Sequence, residues 1–244
     1  MLDIEKSRPA PLTSDPAADS FPVWSPDGRR VAFRSERDRA GNLYEREVDV
    51  VGLKDDTSKF PTDWSRDYLA YHTADGDIWA PPLSGDSKSG PSKPVQVTTT
   101  PFIESDAKIS PDGHWIAYVS NQPAQPDVYI QSFPDPAGFK QRVSTAGGVL
   151  PRWSPDGKEL FYIARPNMMS VSIKPDGSKL KIGLPATLSS SLGPMFNVSR
   201  DGHFLLFTGF GGFGRGSGNR GSGGGNSDHI VVLFNWAAAP RAGK

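Results

Sequence analysis

One short phrase recurs five times along this chain of 244 residues. Trp24-Ser25-Pro26-Asp27-Gly28 returns as Trp64-Ser65-Arg66-Asp67 and as Ile109-Ser110-Pro111-Asp112-Gly113. It returns again as Trp153-Ser154-Pro155-Asp156-Gly157 and Val198-Ser199-Arg200-Asp201-Gly202. The first residues lie 40, 45, 44 and 45 positions apart. A period of about 40–45 residues, with four strands in each, is the spelling of a β-propeller blade. The expected fold class is therefore all-β, a propeller of five four-stranded blades.

The phrase carries its own turn. Pro presets a φ near −65°, Asp bonds nearby backbone, and Gly accepts the positive φ that closes the turn. A strand ends at the Trp-Ser pair and another starts after Gly. That second strand alternates: Val31 and Phe33, Leu69 and Tyr71, Ile116 and Tyr118, Leu160 and Tyr162, Leu205 and Phe207. Period two means a half-buried strand. The second repeat lacks the Gly, which predicts a tightened turn. Third strands are expected at Asn42–Val48, Asp77–Leu83, Asp127–Phe133, Met168–Ile173 and His229–Trp236. Fourth strands are expected at Leu53–Thr57, Pro94–Thr98, Gln141–Ser144 and Ala186–Leu188.

The last repeat runs out after its third strand, while Leu12-Thr13 stands before Trp24 as Val97-Thr98 stands before Ile109. The N-terminal segment thus reads as a fourth strand that completes blade five and closes the ring, removing exposed sheet edges. The same spelling fits a slice of a longer array. The repeats span residues 1–244 as one domain.

Composition excludes several classes. Lys plus Arg and Asp plus Glu both number 27, so no net field attracts nucleic acid or an anionic membrane. Cysteine is absent, which excludes disulfides and thiolate metal sites. No apolar run reaches the length of a membrane span, and Met1–Lys6 shows no signal peptide.

The repeats resemble the TolB-like family of bacterial propellers, whose hallmark is the Ser-Pro-Asp-Gly turn after an aromatic or aliphatic residue. A closer resemblance rests on several segments. They are Gly41–Glu45, Pro61–Ser65, Asp75–Trp79, Thr100–Ser105, Asp127–Pro134 and Val231–Trp236. Together these are similar to the C-terminal propeller of bacterial receptor-type Ser/Thr protein kinases. That resemblance implies a sensor or interaction module placed after a kinase domain and a membrane span, hence an extracytoplasmic location. The kinase motifs themselves are not spelled in this chain. The chain departs from the family at Arg66-Asp67 and in the Gly-rich stretch Gly209–Gly225.

Catalytic spellings are weak. Gly209-Phe210-Gly211-Gly212-Phe213-Gly214 matches G-x-G-x-x-G, but a low-complexity run follows where a phosphate site needs a helix, so it reads as a flexible surface loop. His114 and His203 share one repeat position after the turn; His72 and His229 stand alone. Asp75-Gly76-Asp77 reads as a hairpin turn and not as a calcium loop. Asn197-Val198-Ser199 is a glycosylation sequon by spelling, expected to be unmodified near the channel. Ser189–Ser191 lacks a G-x-S-x-G elbow. The recurring Asp residues are turn residues. No catalytic residue, metal site or cofactor is expected.

Recognition is expected on the face opposite the monotonous turns, where the connecting loops vary. Arg37, Glu104, Asp106, Asn121 and Arg152 are the candidate contacts there for a protein, peptide or small envelope ligand. The expected function is a non-catalytic binding or sensing propeller. The alternative is an accessory, lid-type propeller of a peptidase or a free-standing envelope protein.

Overall fold

The computed structural model describes residues 2–3, 8–9, 12–38, 40–45, 48–49, 56–83, 93–122, 125–190, 195–208 and 229–233. All regular structure among them is strand. A short N-terminal pair, β1 (Leu2–Asp3) and β2 (Arg8–Pro9), precedes five antiparallel sheets that follow the five repeats. The first holds β3 (Asp19–Trp24), β4 (Val31–Ser35), β5 (Asn42–Glu45) and β6 (Val48–Asp49). The second holds β7 (Lys59–Trp64), β8 (Leu69–Thr73), β9 (Ile78–Ala80) and β10 (Val95–Gln96). The third is built from β11 (Glu104–Ile109), β12 (Trp115–Ser120), β13 (Asp127–Ser132) and β14 (Lys140–Arg142). The fourth holds β15 (Val149–Trp153), β16 (Glu159–Ala164), β17 (Asn167–Asp176), β18 (Lys179–Ile182) and β19 (Ala186–Ser190). In the fifth, β20 (Met195–Val198), β21 (Phe204–Thr208) and β22 (His229–Leu233) are described.

The repeated phrase builds one turn each time. Ser25 Oγ donates to Asp27 Oδ1 at 2.5 Å and accepts from Arg30 N at 2.9 Å, and Gly28 takes φ +70°. Ser110, Asp112, Gly113 and Trp115 repeat this, as do Ser154, Asp156, Gly157 and Glu159. In the second sheet the missing Gly shortens the turn, and Ser65 pairs directly with Tyr68.

Two fourth strands depart from expectation. In the first sheet, β6 follows β5 at once as a hairpin, ahead of the expected Leu53–Thr57, most of which lies outside the described residues. In the fourth, Pro175-Asp176-Gly177 makes an extra hairpin. The far half of β17 pairs with β18 and its near half with β19, which is the expected fourth strand.

Apolar packing lies between successive sheets. Ala32 and Leu43 of the first meet Trp64, Leu69 and Tyr71 of the second. Ala70 and Ile78 meet Ile116 and Tyr118. Ala117 and Val128 meet Leu160 and Val171. Phe161 and Met168 meet Phe196 and Phe204. Each fully buried large side chain contributes about 1.5–3 kcal/mol. Backbone bonds stitch the same seams: Lys59 N to Gly41 O, Glu104 N to Gly76 O, and Gly148 N to Pro126 O. Sheets packed face to face in sequence are propeller blades.

Val31, Phe33 and Tyr44 form a separate cluster, and Leu12 packs on it. Arg200, in the fifth turn, donates to Pro26 O in the first. Leu12 and Thr13 lie in no strand, and among the described residues nothing from the N-terminal segment joins the fifth sheet; Trp236, beside which they were expected to pair, and the Gly209–Ser227 loop lie outside the described residues.

Candidate functional site at the propeller axis

The first strand of each blade runs nearest the axis, and consecutive first strands touch from β3 through β7, β11 and β15 to β20. Four of them break register just before the repeated phrase. The breaks fall between Ser20 and Val23, Pro61 and Asp63, Ser105 and Lys108, and Val149 and Arg152. Phe21, Asp106 and Leu150, each three residues before the phrase, take φ of 54°, 51° and 57°. Pro61 holds that place in the second blade, where its ring forbids positive φ. A bulge adds twist and re-aims the side chains beside it. Non-glycine residues at positive φ are uncommon and cluster at functional sites.

The phrases converge on a funnel of about 370 Å³, lined by residues from all five. Trp64, Ile109, Trp153 and Val198 form apolar wall, with Pro26, Pro111 and Pro155 beside them. Asp63, Arg66 and Arg200 are its charged lining residues. Arg66 and Arg200 stand where the other three repeats carry Pro.

The residue before each phrase forms one column: Val23, Asp63, Lys108, Arg152 and Asn197. Three of the five are charged. Asp63 Oδ2 accepts from Ile109 N at 2.8 Å, and Asp63 Oδ1 lies 3.6 Å from Lys108 Nζ. Lys108 Nζ also donates to Thr62 O. The next blade bonds back, Trp153 Nε1 to Lys108 O at 2.9 Å. Burial pushes the Lys108 ammonium below its ordinary range, and the Asp63 carboxylate opposes that shift. Burial acts the same way on Arg152, against the pull of Asp106 and Asp63. His72 is pushed down by burial, again against Asp106.

Of the five candidate contacts, Asp106 and Arg152 belong to this axial group. Both lie in first strands and not in loops. The Arg152 guanidinium donates to Pro151 O at 2.7 Å. The other three are engaged in the blades. Arg37 lies 4.2 Å over the Tyr44 ring, donates to Ser35 Oγ, and faces Asp15 and Asp19. Glu104 is fully buried; its Oε1 accepts from Thr100 and Ser120, and its Oε2 has no hydrogen-bond partner. It is the first residue of β11, so the varied loop ends earlier than the sequence suggests. Asn121 Oδ1 accepts from Ile103 N and ties two loops together.

Asp63, Lys108 and His72 were not among the sequence candidates. The first two were findable from the column before the phrase, which is charged in three consecutive repeats. His72 stacks on Phe60 at 5.0 Å, and its Nδ1 is buried without a hydrogen-bond partner. His203 Nδ1 lies 2.6 Å from Asp201 in the fifth turn. Asn197 Oδ1 accepts from its neighbour Val198 N. Among the described residues, no three His, Asp or Glu side chains are grouped to hold a metal ion. No helix among them is long and apolar enough to cross a membrane.

This architecture defines a β-propeller, and comparison with solved structures agrees. The chain is similar to TolB from Acinetobacter baumannii, with 18% identity and a TM-score of 0.58 over 82% of this chain and 51% of that one. It is also similar to the Cps50 (Swd1) β-propeller domain from Myceliophteria thermophila, with 11% identity and a TM-score of 0.60 over 86% and 73%. Oligogalacturonate lyase from Vibrio parahaemolyticus follows, with 12% identity and a TM-score of 0.53 over 85% and 67%. The chain spans about half the length of that TolB. No protein-family model and no curated protein matches the chain by sequence. The likeness is one of fold: a β-propeller.

Proposed function

We propose that this propeller is a non-catalytic binding module whose ligand enters the axial funnel on the face of the repeated turns. The observation that carries this is the convergence of all five phrases on one cavity, with apolar walls and two arginines where other repeats have Pro. Concave, mostly apolar sites with a few placed polar groups are where ligands bind. The varied loops of the opposite face, favoured on sequence grounds, have two of their candidates, Arg37 and Asn121, held in internal contacts. A finer reading makes the module the sensor of a receptor-type Ser/Thr kinase. It is supported by the segments that resemble such propellers, from Gly41–Glu45 to Val231–Trp236. A kinase and membrane span in the flanking coding sequence would support that reading.

The chain has no cysteine, so single thiol labels are clean. Arg66→Cys carries an environment-sensitive dye at the funnel, and Ser178→Cys carries it on the outer β17–β18 turn. Peptide and glycan mixtures should change the dye signal at position 66 and leave position 178 unchanged. A response at 178 alone, or at neither position, would overturn the funnel as the binding site.

A further inference from the structure

The residue that opens the repeated phrase is covered in the second, third and fourth blades and bare in the first. Trp64, Ile109 and Trp153 are 5%, 7% and 9% exposed, whereas Trp24 is 51% exposed. The residue two places earlier behaves alike: Thr62, Ala107, Pro151 and Phe196 are buried, and Pro22 is exposed. In the covered cases the preceding blade supplies the cover. Trp64 packs with Ala32 and Leu43, Ile109 with Ala70 and Ile78, and Trp153 with Ala117 and Val128. For the first blade the preceding one is the fifth. Arg200 in the fifth turn still donates to Pro26 O, two residues beyond Trp24. The fifth and first turns therefore meet, and the bare face of β3 beside them is a slot for a single chain segment, too narrow at the turns for a further blade.

The covered seams show what such a slot takes. Trp153 Nε1 donates to a backbone carbonyl, Lys108 O, while its ring packs on apolar side chains. The Trp24 indole N–H has no hydrogen-bond partner among the described residues. An occupant would offer it a backbone carbonyl and lay an apolar side chain on Trp24 and Pro22. The charge left over beside the slot is positive. The carboxylates of Asp27 and Asp201 accept from Ser25 and Ser199, and Asp63 is held by Ile109 N and Lys108. Arg66 has no ion pair among the described residues, and it lines the funnel together with Arg200 and Pro26. Exposed Trp and Arg side chains are the usual anchors of a binding surface, and the Arg fork matches a carboxylate. We propose that the slot beside Trp24 takes an extended acidic peptide, with one apolar side chain on the indole and a neighbouring carboxylate on Arg200. This deepens the funnel reading, on which its approach from the turn face rests, by naming the ligand class and its anchor.

The test is fluorescence-anisotropy titration of the whole chain with three dye-labelled peptides: Glu-Leu-Glu-Phe-Glu, its charge-reversed form Lys-Leu-Lys-Phe-Lys, and Glu-Ser-Glu-Ser-Glu. Only the first should bind. Trp24→Ala should weaken that binding by about tenfold or more, as loss of an aromatic anchor does. Trp24→Phe, which keeps a ring and loses the N–H, should fall between. Arg200→Gln should also weaken it, by several-fold. Thermal unfolding of each variant checks that the blades remain folded, and the wild-type comparison of the three peptides stands without any variant. In the wild type the Trp24 indole N–H signal should move as the acidic peptide is added. No binding, equal binding of the acidic and basic peptides, or undiminished binding to a folded Trp24→Ala protein would overturn the inference. Self-association lost in Trp24→Ala, with no peptide bound, would give the slot to a second copy of the chain and overturn it too. Peptide that moves the Trp64 and Trp153 signals and leaves Trp24 in place would remove the slot and leave the funnel standing.

Discussion

The Asp63 carboxylate of the second blade accepts a 2.8 Å hydrogen bond from the Ile109 backbone N–H of the third. Its other oxygen faces Lys108 Nζ at 3.6 Å. One side chain thus closes the seam between two blades and neutralises a cation beside the axis. Asp63→Ala leaves the Ile109 N–H without its acceptor and the Lys108 ammonium without its carboxylate, held only by Thr62 O, and should lower stability by about 2–4 kcal/mol. Asp63→Asn keeps an acceptor for Ile109 N and should cost less. Urea denaturation of both variants checks the order; equal stability of Asp63→Ala and wild type would contradict it.

The Trp153 indole performs a similar service one seam later, donating to Lys108 O at 2.9 Å. Trp153→Phe removes the donor and keeps most of the apolar volume, with an expected cost of about 1 kcal/mol. Trp153→Ala should cost about 3–5 kcal/mol because it also empties packing between blades. A loss for Phe as large as that for Ala would mean that the hydrogen bond dominates over packing.

Two glycines separate conformational strain from steric contact. Gly28 lies at φ +70° with open space around a prospective Cβ. Gly76 lies at φ +100°, and a Cβ there would come within 2.7 Å of the Ile103 backbone in the next blade. Gly28→Ala should cost about 1 kcal/mol from left-handed backbone alone. Gly76→Ala should cost clearly more, because the third blade must shift. Thermal melts of the pair decide it.

The fifth turn gives a pH prediction. The Ser199 hydroxyl bond, and then His203, hold Asp201 down to about 2 from an ordinary 3.8. A lowered carboxylate stabilises the fold fully above its unfolded value, and that contribution disappears as pH falls through about 2. Carboxyl-carbon NMR should find Asp201 still ionised at a pH where ordinary Asp is half protonated. Ser199→Ala should return it toward 3.8. A midpoint unchanged by that substitution would remove the hydroxyl as the cause.

Much of the fold was legible because each blade announces itself with a Ser-x-Asp turn, spelled in full as Ser-Pro-Asp-Gly in three of them, whose Ser side chain closes the turn locally. The second-strand alternation was equally plain, since Leu69 and Tyr71, or Leu160 and Tyr162, must face packed seams. What escaped the sequence depends on contacts between repeats. The bulges before the phrase leave no composition signal, so Glu104 and Asp106 read as loop residues. Asp63 and Lys108 share a column beside the phrase, but their contact across the seam is set by how two blades pack. The extra β17–β18 hairpin was spelled by Pro175-Asp176-Gly177, a turn outside the repeat period.

The central claim is that a ligand enters the axial funnel, and tryptophan indole N–H signals report on it directly. Trp64 and Trp153 line the funnel, whereas Trp79 and Trp115 lie away from its wall. Titration of isotope-labelled protein with the peptide and glycan mixtures should move the Trp64 and Trp153 signals and leave Trp79 and Trp115 in place. Shifts confined to Trp79 and Trp115 would put the ligand elsewhere, and a spectrum that nothing moves would contradict the account.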